Sequence, residues 1–508
     1  MPTCLPLFSC EQARAIDRDA QRLYKLSDYT LMQRAGAAAW RALQQHWPQP
    51  QASRPQRIGI ACGPGNNGGD GTVLGGLARE AGREVVIVRL PDGAPRSESA
   101  RKACVEWEAG DCAVREFDGG LPEVDLWVDA LFGIGLTRAP EGAALALIEA
   151  INASGVTVFA LDVPSGVDAD TGNVPGVAIR ATRTLSFLVD KRGLHTGAAL
   201  EYVGALRIDA LGVADDLLAS IAPAARLAHA DLLADRLQPR HRNSNKGDYG
   251  HLLCVGGEHG SGGAIALSAE AALRSGAGLV SVATRAEHVA MLLARRPELM
   301  VRGVEAAPDE DLADFTAQCE RANVIAIGPG LGQGEWGRAL LSAALAGNKP
   351  LVLDADALNL LPEMLCAKPA SALQDCVLTP HPGEAARLLN STIAHVQADR
   401  FTAARALAER YACCAVLKGA GSIVAAPGAT PVVIAAGNPG MAAGGMGDVL
   451  TGVIGALRAQ HLSAFDAAVC GALLHALAGD AAASDGGERG MLASDLFAHL
   501  RRLANPCA

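Results

Sequence analysis

Short β-branched segments alternate with longer alanine- and leucine-rich segments along most of the 508-residue chain. The short segments are predicted strands and the longer ones predicted helices, an order typical of βαβ units with right-handed crossovers. Such units build a mainly parallel sheet, and their ligands bind at the carboxyl ends of the strands. The chain is therefore predicted to be an α/β protein whose chemistry follows directly after its strands.

The alternation is interrupted once, between Leu211 and Arg242. The predicted elements before the interruption are strands Arg57–Cys62, Glu84–Arg89, Val124–Leu131, Val156–Leu161 and Thr184–Phe187 and helices Thr72–Ala81 and Glu141–Ala153. Those after it are strands Gly250–Val255, Leu279–Ala283, Asn323–Ile327, Leu351–Leu353 and Val377–Leu378, helix Ala264–Ser275 and a β-rich patch at Ala415–Ala435. We expect two α/β domains, 1–215 and 225–508.

Charge and composition exclude several classes of protein. The net charge is -10, and the only basic cluster is Arg240–Arg242, so no nucleic-acid partner is expected. The N-terminus lacks the basic start of a secretory signal, and no run approaches the roughly 18 uninterrupted apolar residues of a membrane span. Thirteen scattered cysteines without C-x-x-C spacing predict neither a zinc site nor disulfides. We expect a cytoplasmic protein with no membrane partner.

The first chemical motif, GPGNNGGDG at Gly63–Gly71, follows a predicted strand and opens a helix. Its glycines would let backbone N–H groups face an anion at the helix N-terminus. Its G-x-G-x-x-G spacing is only a weak dinucleotide signal, because the next strand ends in Arg89 and not in an acid. Side-chain oxygens of Asn66, Asn67 and Asp70 suit a hard cation or a ribose. The alternative is a glycine turn that is only structural.

Two further strand ends carry carboxylates. WVDALFGIGLTR places Asp129 at the end of a strand, with Arg138 after the following glycine turn. LDVPSGVDADTG places Asp162 in the same way, followed by Ser165 and Asp168. One such carboxylate often only caps the next helix. Three polar strand ends in successive βα units converge on one edge of a sheet, which favours a binding site.

Together, GPGNNGGDG, VDALFGIGL and DVPSGVDADTG resemble the NAD(P)H-hydrate epimerase domain, over nearly all of residues 10–215. The resemblance implies a Rossmann-like three-layer sandwich. It makes Asp162 the acid/base residue beside the hydrated nicotinamide carbon, and Asn67, Asp129 and Ser165 the ligands of a potassium ion. The residues that it implies for holding the hydrated dinucleotide are Asn66, Asn67, Gly68, Gly69, Asp70, Gly133, Ile134, Gly135, Leu136, Thr137, Arg138, Ala139 and Asp162.

In the second part, AAGGMGDVLTG places Gly444, Gly445, Gly447 and Asp448 before the predicted helix Val449–Leu457. Backbone N–H groups at such a helix start form an anion hole for a transferring phosphoryl group, with Asp448 beside it as a base. A simple helix cap is the alternative. No G-x-x-x-x-G-K-[ST] sequence occurs, which excludes a P-loop.

Further strand ends precede this motif, in GGEHGSGGA, GPGLG, LDADALN, TPHPGE and LKGAGS. His381 lies between two prolines, in a rigid turn where a core histidine is not expected. Lys418 ends a strand and precedes Gly419, which favours contact with an anion over an ordinary surface position. These groups are predicted to gather at one edge of a second sheet.

This set resembles the ribokinase-like superfamily, and more closely the ADP-dependent NAD(P)H-hydrate dehydratases, over roughly residues 225–505. The resemblance implies a ribokinase-like α/β domain that uses ADP with Mg²⁺. It implies contacts to the hydrated dinucleotide from Ala264, His381 and Gly330 or Gly332, with Asp448 at the reacting hydroxyl. The residues that it implies for the adenine nucleotide are Lys418, Gly419, Ala420, Gly421, Ser422 and Gly447.

The favoured interpretation is a bifunctional enzyme of nicotinamide-nucleotide repair, with NAD(P)HX and ADP as its small-molecule partners. It would epimerise R- and S-NAD(P)HX and dehydrate the S epimer to NAD(P)H, releasing AMP and phosphate. The resemblance also makes a homo-oligomer plausible. One alternative is a ribokinase-type kinase with a non-catalytic nucleotide-binding N-terminal domain. Another is an N-terminal domain that only binds nucleotide or RNA, which the joint presence of Asp129, Asp162 and Ser165 disfavours.

Overall fold

The structure, a computed structural model, describes residues 3–48, 54–110, 114–136, 138–305, 309–365, 373 and 375–506. The chain divides into two compact units. The N-terminal unit is Pro6–Ala225, and the C-terminal unit is Arg226–Ala508 together with Met1–Leu5. That residues 1–215 and 225–508 are the two functional domains stays a prediction.

The N-terminal unit is built on a parallel sheet, as the alternating pattern predicts. Its seven described strands, in spatial order, are Val114–Glu116, Glu84–Arg89, Arg57–Cys62, Leu126–Ala130, Val158–Leu161, Arg183–Phe187 and Ala205–Asp209. Its α-helices are Cys10–Tyr24, Asp28–His46, Asn66–Glu80, Glu98–Glu108, Gly142–Ala153 and Asp215–Ala219, with 3₁₀ turns at Arg192–His195 and Gly197–Glu201. The strand order reverses beside Arg57–Cys62, and such a switch point opens a crevice for ligands.

The five strands predicted in this unit are all present, with ends that differ by at most two residues. The predicted start of helix Thr72–Ala81 is wrong, because the helix begins at Asn66 and includes most of the glycine-rich motif. Glycine has low helix propensity, so local sequence does not signal this first turn. Tertiary packing requires the glycines instead, since a Cβ at Gly68 would lie 1.9 Å from the carbonyl oxygen of Gly63.

The C-terminal unit has a larger, mixed sheet. Its eleven described strands, in spatial order, are Cys4–Leu7, Ala225–Ala228, Val432–Ile434, Ser422–Ala425, Cys414–Leu417, Val377–Leu378, Leu351–Leu353, Val324–Ile327, His251–Val255, Leu279–Thr284 and Met300–Gly303. Strands from Met300–Gly303 to Cys414–Leu417 pair in parallel. Ser422–Ala425 is antiparallel to both of its neighbours. The predicted strands of this part are confirmed, and the β-rich patch resolves into three of them.

Helices cover both faces of this sheet and complete the predicted α/β class. They are Asp231–Arg236, Gly262–Arg274, Val289–Arg295, Asp309–Arg321, Glu335–Ala346, Ala355–Leu365, Pro382–Leu389, Ile393–Ala398, Arg400–Tyr411, Met446–Ala459, Ala464–Gly486 and Leu496–Leu503, with 3₁₀ turns at Lys246–Tyr249, Ala286–His288, Pro439–Met441 and Ala493–Asp495. Helix Met446–Ala459 packs on Gly262–Arg274 and Ala464–Gly486 in the main hydrophobic core.

One helix, Ala464–Gly486, is long and apolar enough to cross a membrane by length and composition. The sequence analysis did not single it out, because Asp466 and Asp480 interrupt its apolar run. In the structure 72% of its most apolar window is buried inside the molecule. Its apolar character is therefore explained by packing in the core of the C-terminal unit.

Gly63 is the point where two strand ends of the N-terminal unit meet. Its N–H group donates to the carbonyl oxygen of Ala130 at 3.0 Å. A Cβ at this position would lie 1.8 Å from the carbonyl oxygen of Leu131, so only glycine permits this approach. Gly65, two residues on, has no atom within 4 Å of its Cβ position.

We expect Gly63→Ala to destabilise the N-terminal unit by about 1–3 kcal/mol, because the strand ends must separate to admit the methyl group. Gly65→Ala is the matched control: its methyl group would meet no atom, and we expect a smaller loss of about 0.5 kcal/mol because alanine is a poorer helix N-cap than glycine. Urea unfolding followed by tryptophan fluorescence measures this unit, which holds four of the five tryptophans. Equal stability of the two variants would contradict the contact.

Candidate active sites

A cavity of about 650 Å³ lies at the carboxyl ends of the central strands of the N-terminal unit. The predicted site residues that line it are Asn66, Asn67, Asp70, Gly133, Ile134, Gly135, Leu136, Arg138 and Asp162. Three others lie outside the lining: Gly68 and Gly69 pack inside the molecule, and Ala139 packs beside Gly176. Thr137 lies outside the described residues. The structure thus gathers most of the predicted set around one space.

Asp162 is held at this cavity by a buried lysine. Lys191 Nζ lies 2.6 Å from Asp162 Oδ1, and it also donates to Ser186 Oγ at 2.9 Å and to the carbonyl oxygen of Phe187 at 2.6 Å. All three ammonium protons of Lys191 therefore have acceptors. The N–H of Ile134 donates to Asp162 Oδ2 at 3.3 Å. The carboxylate is fixed from two sides.

The backbone of Asp162 adds to this fixation. Its φ angle is +62°, in the left-handed region that side chains other than glycine rarely adopt. Such a conformation costs of order 1–3 kcal/mol and persists only where the surroundings determine it. The N–H of Asp162 donates to Leu185 at 2.7 Å, which anchors the residue to the neighbouring strand. The side chain is therefore preorganised toward the cavity that it lines.

Three more carboxyl groups line the cavity with Asp162, those of Asp17, Asp28 and Asp70. Burial raises the pKa of Asp70 well above its usual value, and the nearby carboxylates of Asp162 and Asp17 raise it further. Burial is also the main cause that raises the pKa of Asp17. A raised pKa means that burial favours the uncharged form of these two carboxyl groups. The cavity therefore combines an ion-paired carboxylate with carboxyl groups whose pKa values are raised.

The three predicted potassium ligands lie beside this cavity. Asp129 is fully buried, and its carboxylate accepts from Ser165 Oγ at 2.6 Å and from the Ser165 N–H at 2.8 Å. Burial raises the pKa of Asp129 to about 6, although the Ser165 hydrogen bonds oppose this. Asn67 donates to the carbonyl oxygen of Leu161 at 3.2 Å, while its buried Oδ1 has no partner among the described residues. These oxygens fit a hard cation, which would satisfy the orphaned Oδ1 and stabilise ionised Asp129.

In the C-terminal unit, the GGMGD motif forms the start of helix Met446–Ala459. Gly445, at φ +90°, is its N-cap and brings no side chain to accept from the first N–H groups of the helix. These N–H groups can therefore serve an anion. Burial raises the pKa of Asp448 to about 6, with Asp354 and Asp356 raising it and Lys418 lowering it. A carboxylate with this pKa suits a general base near neutral pH.

A second lysine, half-buried, lies below this helix start. Lys418 Nζ is 2.7 Å from Asp354 Oδ1, and a Cβ at Gly447 would lie 3.3 Å from the same nitrogen. Asp354 also accepts from Thr379 Oγ1 and Thr451 Oγ1, each at 2.8 Å. Burial alone would lower the pKa of Lys418, but the neighbouring carboxylates raise it above its usual value. The lysine thus places positive charge under the predicted phosphoryl site.

Glu384 is the third carboxyl group around Lys418, at 3.8 Å from its Nζ. Burial raises the pKa of Glu384 to about 7, and Lys418 opposes this. His381 is exposed, as expected for a residue outside the core, and its Nδ1 accepts from Gly383 at 2.9 Å. The histidine therefore caps helix Pro382–Leu389, which gives it a structural role in addition to its predicted contact.

The remaining predicted residues lie on turns, except Ala264, which lies in the first turn of helix Gly262–Arg274. Gly330 packs against Ala264, whose Cβ is 3.3 Å from the Cβ position of the glycine. The N–H of Gly332 donates to Asp356 Oδ2 at 2.9 Å. The turn that the resemblance assigns to the adenine nucleotide is Lys418, Gly419, Ala420, Gly421 and Ser422, where strand Ser422–Ala425 begins. The buried guanidinium of Arg400 donates to the carbonyl oxygens of Leu417 and Lys418 and supports this turn.

The sequence analysis missed several polar residues of both sites. Lys191, Asp17, Asp354 and Glu384 were not assigned, although LDADALN and TPHPGE contain two of them. Their partners lie far away in sequence, as with Lys191 and Asp162 or Lys418 and Asp354. Asp354 directly follows the predicted strand Leu351–Leu353, but this position does not separate it from an ordinary helix cap. Asp17 lies within helix Cys10–Tyr24 and carried no such signal.

Known proteins resemble both units. A family model described as NAD(P)H-hydrate dehydratase matches residues 252–502, and one described as YjeF-related protein N-terminus matches residues 28–193. A bifunctional NAD(P)H-hydrate repair enzyme from Coxiella burnetii is 44% identical over 501 residues, which cover 98% of this chain and 99% of the relative. The chain belongs to the bifunctional NAD(P)H-hydrate repair enzyme family.

Other relatives agree with this placement. A bifunctional NAD(P)H-hydrate repair enzyme from Escherichia coli is 43% identical over 508 residues, covering 99% of this chain and 95% of the relative. The crystal structure of a ribokinase-like superfamily protein from Enterococcus faecalis matches with a TM-score of 0.51 and 29% identity, over 56% of this chain and 97% of that one. The ribokinase-like fold predicted for the C-terminal part of this NAD(P)H-hydrate repair enzyme is confirmed.

In this family member, we expect Lys191→Met to cost about 3–5 kcal/mol of folding stability, because the buried Asp162 carboxylate loses its counter-charge. Lys191→Met combined with Asp162→Asn should be more stable than Lys191→Met alone, since it leaves no unpaired charge. Urea unfolding of the wild type, both single variants and the double variant measures the coupling. Strictly additive effects would contradict a direct ion pair.

Proposed function

We propose that the N-terminal unit epimerises R- and S-NAD(P)HX and that the C-terminal unit dehydrates S-NAD(P)HX with ADP, releasing NAD(P)H, AMP and phosphate. The observation that carries this proposal is the pairing of a cavity-lining Asp162 with buried Lys191 in a chain of the repair family. The functional domains would be residues 1–215 and 225–508. Epimerisation would feed dehydration, because the second site accepts one epimer.

The N-terminal chemistry takes place at C6 of the hydrated ring, which bears a hydroxyl group next to the ring nitrogen. Asp162, in its protonated form, gives a proton to the hydroxyl group, which leaves as water as the nitrogen lone pair expels it. Water then adds to the other face and returns a proton to the Asp162 carboxylate. Asp162 suits this acid/base work because Lys191 and Ile134 fix its carboxylate. Asp70 is a second carboxyl group in the same cavity, and burial raises its pKa.

A potassium ion belongs to this proposal. Asn67, Asp129 and Ser165 would hold it through oxygen atoms, in keeping with the orphaned Oδ1 of Asn67. The N–H of Phe132 donates to Ser165 Oγ at 2.8 Å, and the adjacent Gly133 lies against Asp162. The bound cation would therefore order the loop that carries Gly133 to Ala139. When bound, it supplies positive charge next to the substrate phosphates.

In the C-terminal unit, Asp448 would remove the proton from the C6 hydroxyl group of S-NAD(P)HX. The hydroxyl oxygen would then take the terminal phosphoryl group of ADP, which leaves AMP. The N–H groups after Gly445 and the Lys418 ammonium would stabilise the transferring phosphoryl group. Phosphate then departs from C6 as the ring nitrogen donates its lone pair, and loss of the C5 proton gives NAD(P)H.

Magnesium would accompany ADP at this site. Mg²⁺ is commonly bound through one or two carboxylates together with substrate phosphates. Asp448 and Glu384 are the carboxyl groups around Lys418 that can take part, and the described residues contain no group of three or more His, Cys, Asp or Glu that could hold a metal alone. A cytoplasmic homo-oligomer completes the proposal, and light scattering of the purified chain measures its assembly.

The test supplies defined epimers of NADHX together with ADP and Mg²⁺ and follows absorbance at 340 nm. We expect Asp162→Ala to abolish recovery of NADH from the R epimer beyond the spontaneous rate while leaving the S epimer unaffected. Asp448→Asn should lower recovery from both epimers by at least about 10²-fold, because dehydration is the common last step. Release of inorganic phosphate should match the NADH formed.

Two outcomes would contradict the proposed function. A stable phosphorylated product without NADH would favour a ribokinase-type kinase with a non-catalytic N-terminal domain. R-epimer turnover that survives Asp162→Ala would remove the epimerase assignment. Asp168→Ala, at the same loop, is the matched control for Asp162→Ala, because Asp168 binds only backbone N–H groups of its own turn among its described contacts.

The potassium site has its own test. We expect the melting temperature of the N-terminal unit, followed by tryptophan fluorescence, to rise with K⁺ concentration, because the ion binds the folded state. Asn67→Ala should remove this dependence and slow epimerisation. Tetramethylammonium chloride at equal ionic strength is the control salt, since it is too large for a buried oxygen site. An equal response to both salts would contradict a specific ion site.

A further inference from the structure

The epimerase cavity reaches beyond the predicted substrate residues. One end holds Asp162, after strand Val158–Leu161, and the other end is lined by Arg96, after strand Glu84–Arg89. Three strand spacings separate these two strands in the sheet, a distance of about 14 Å. With the nicotinamide ring at Asp162, a dinucleotide laid across the strand ends would bring its adenosine half toward Arg96.

The backbone of Arg96 is fixed, and the residue is exposed and lines the cavity. Its N–H donates to the carbonyl oxygen of Pro64 at 2.8 Å, which holds it beside the GPGNNGGDG turn. Its carbonyl oxygen accepts from Arg101 Nη2 at 3.1 Å. Among the contacts of the described residues, the Arg96 side chain has neither a hydrogen bond nor an ion pair. The cation is thus positioned without an internal partner.

Helix stability does not explain this arginine. Arg96 directly precedes Ser97, the N-cap of helix Glu98–Glu108. Cations are favourable at helix C-termini and unfavourable at N-termini, because the N-terminal end carries partial positive charge. The side chain therefore lies where the fold itself favours negative charge, and an anionic ligand would relieve this repulsion.

The place of Arg96 in the sheet indicates which ligand group it meets. In dinucleotide-binding sheets, the region after the strand next to the glycine-rich turn reads the adenosine ribose: an acid binds the 2′-hydroxyl, and an arginine accommodates a 2′-phosphate. No acid ends the strand Glu84–Arg89. Arg89 itself is occupied, because its Nη2 donates to Cys104 Sγ at 2.9 Å. Arg96 is then the arginine available at this position.

Two other arginines line the same cavity and are less suitable. Arg14 is already engaged, since its Nη2 donates to the carbonyl oxygen of Ile134 at 2.8 Å. Arg138 follows strand Leu126–Ala130, and the adjacent Ala139 packs on Gly176, so Arg138 belongs to the nicotinamide side. Of these three arginines, only Arg96 combines a side chain without a partner among the described residues with a position on the adenosine side.

We propose that Arg96 binds the 2′-phosphate of NADPHX and gives the epimerase site a preference for this substrate over NADHX. This inference rests on the proposed function and adds a specificity determinant to it. The guanidinium group suits a phosphate because it is always charged and can donate two parallel hydrogen bonds.

The test compares Arg96→Gln with wild type in epimerisation of R-NADPHX and R-NADHX, coupled to excess separately added dehydratase. We expect the KM of Arg96→Gln for R-NADPHX to rise roughly tenfold or more. Its kcat for R-NADPHX, and both its KM and its kcat for R-NADHX, should stay within about twofold of the wild-type values. Arg96→Lys should retain part of the preference. Arg18→Gln, an exposed arginine outside the cavity lining, is the matched control and should change neither substrate.

A binding measurement separates this inference from the proposed function. Wild type should bind 2′,5′-ADP more tightly than 5′-AMP in the N-terminal unit, and Arg96→Gln should lose that difference while Arg18→Gln keeps it. If epimerisation is absent but this pattern holds, the Arg96 site stands and the epimerase assignment fails. If Arg96→Gln weakens both ligands equally, or changes neither, the specificity role of Arg96 is overturned.

Discussion

Lysine–carboxylate pairs at strand ends are the interactions on which both sites depend. Lys191 joins Asp162 in the N-terminal unit, and Lys418 joins Asp354 in the C-terminal unit, at 2.6 and 2.7 Å. Removing ions from water is costly, so such pairs persist only where further hydrogen bonds complete them. Ser186 and Phe187 complete the first pair, and Thr379 and Thr451 complete the second, which ties neighbouring elements into each site.

Parallel sheets explain why these pairs can form. All strands of a βαβ series end at the same edge, so polar residues from distant parts of the chain meet without crossing the core. The charge arrangement then differs between the units. In the first, the lysine fixes the carboxylate that lines the cavity. In the second, the lysine lies under an open helix N-terminus, beside Asp448 and Glu384, where a phosphoryl group and its metal would need it.

The strands and the α/β class could be predicted from sequence, because the periodicity of apolar residues and the β-branched composition of the short segments directly indicate buried strands. Strand Leu351–Leu353 has the predicted ends, while helix Asn66–Glu80 begins six residues before its predicted start at Thr72, since glycines there serve packing and not helix propensity. The family motifs predicted roles for Asp162 and Asp448, which lie at the N-terminal cavity and in the first turn of helix Met446–Ala459. Lys191 and Asp354 could not be found this way, because ion pairing across 29 and 64 residues leaves no local pattern.

The strand Cys4–Leu7 belongs to the sheet of the C-terminal unit, where it neighbours Ala225–Ala228. Its neighbour in that sheet is synthesised about 220 residues later, which at ribosomal speed is a delay of roughly 10 to 45 s. During that time strand Cys4–Leu7 has no neighbouring strand to pair with, although the N-terminal unit can already fold. The order of synthesis therefore makes the C-terminal sheet the last structure to close, with both halves of the chain needed to complete it.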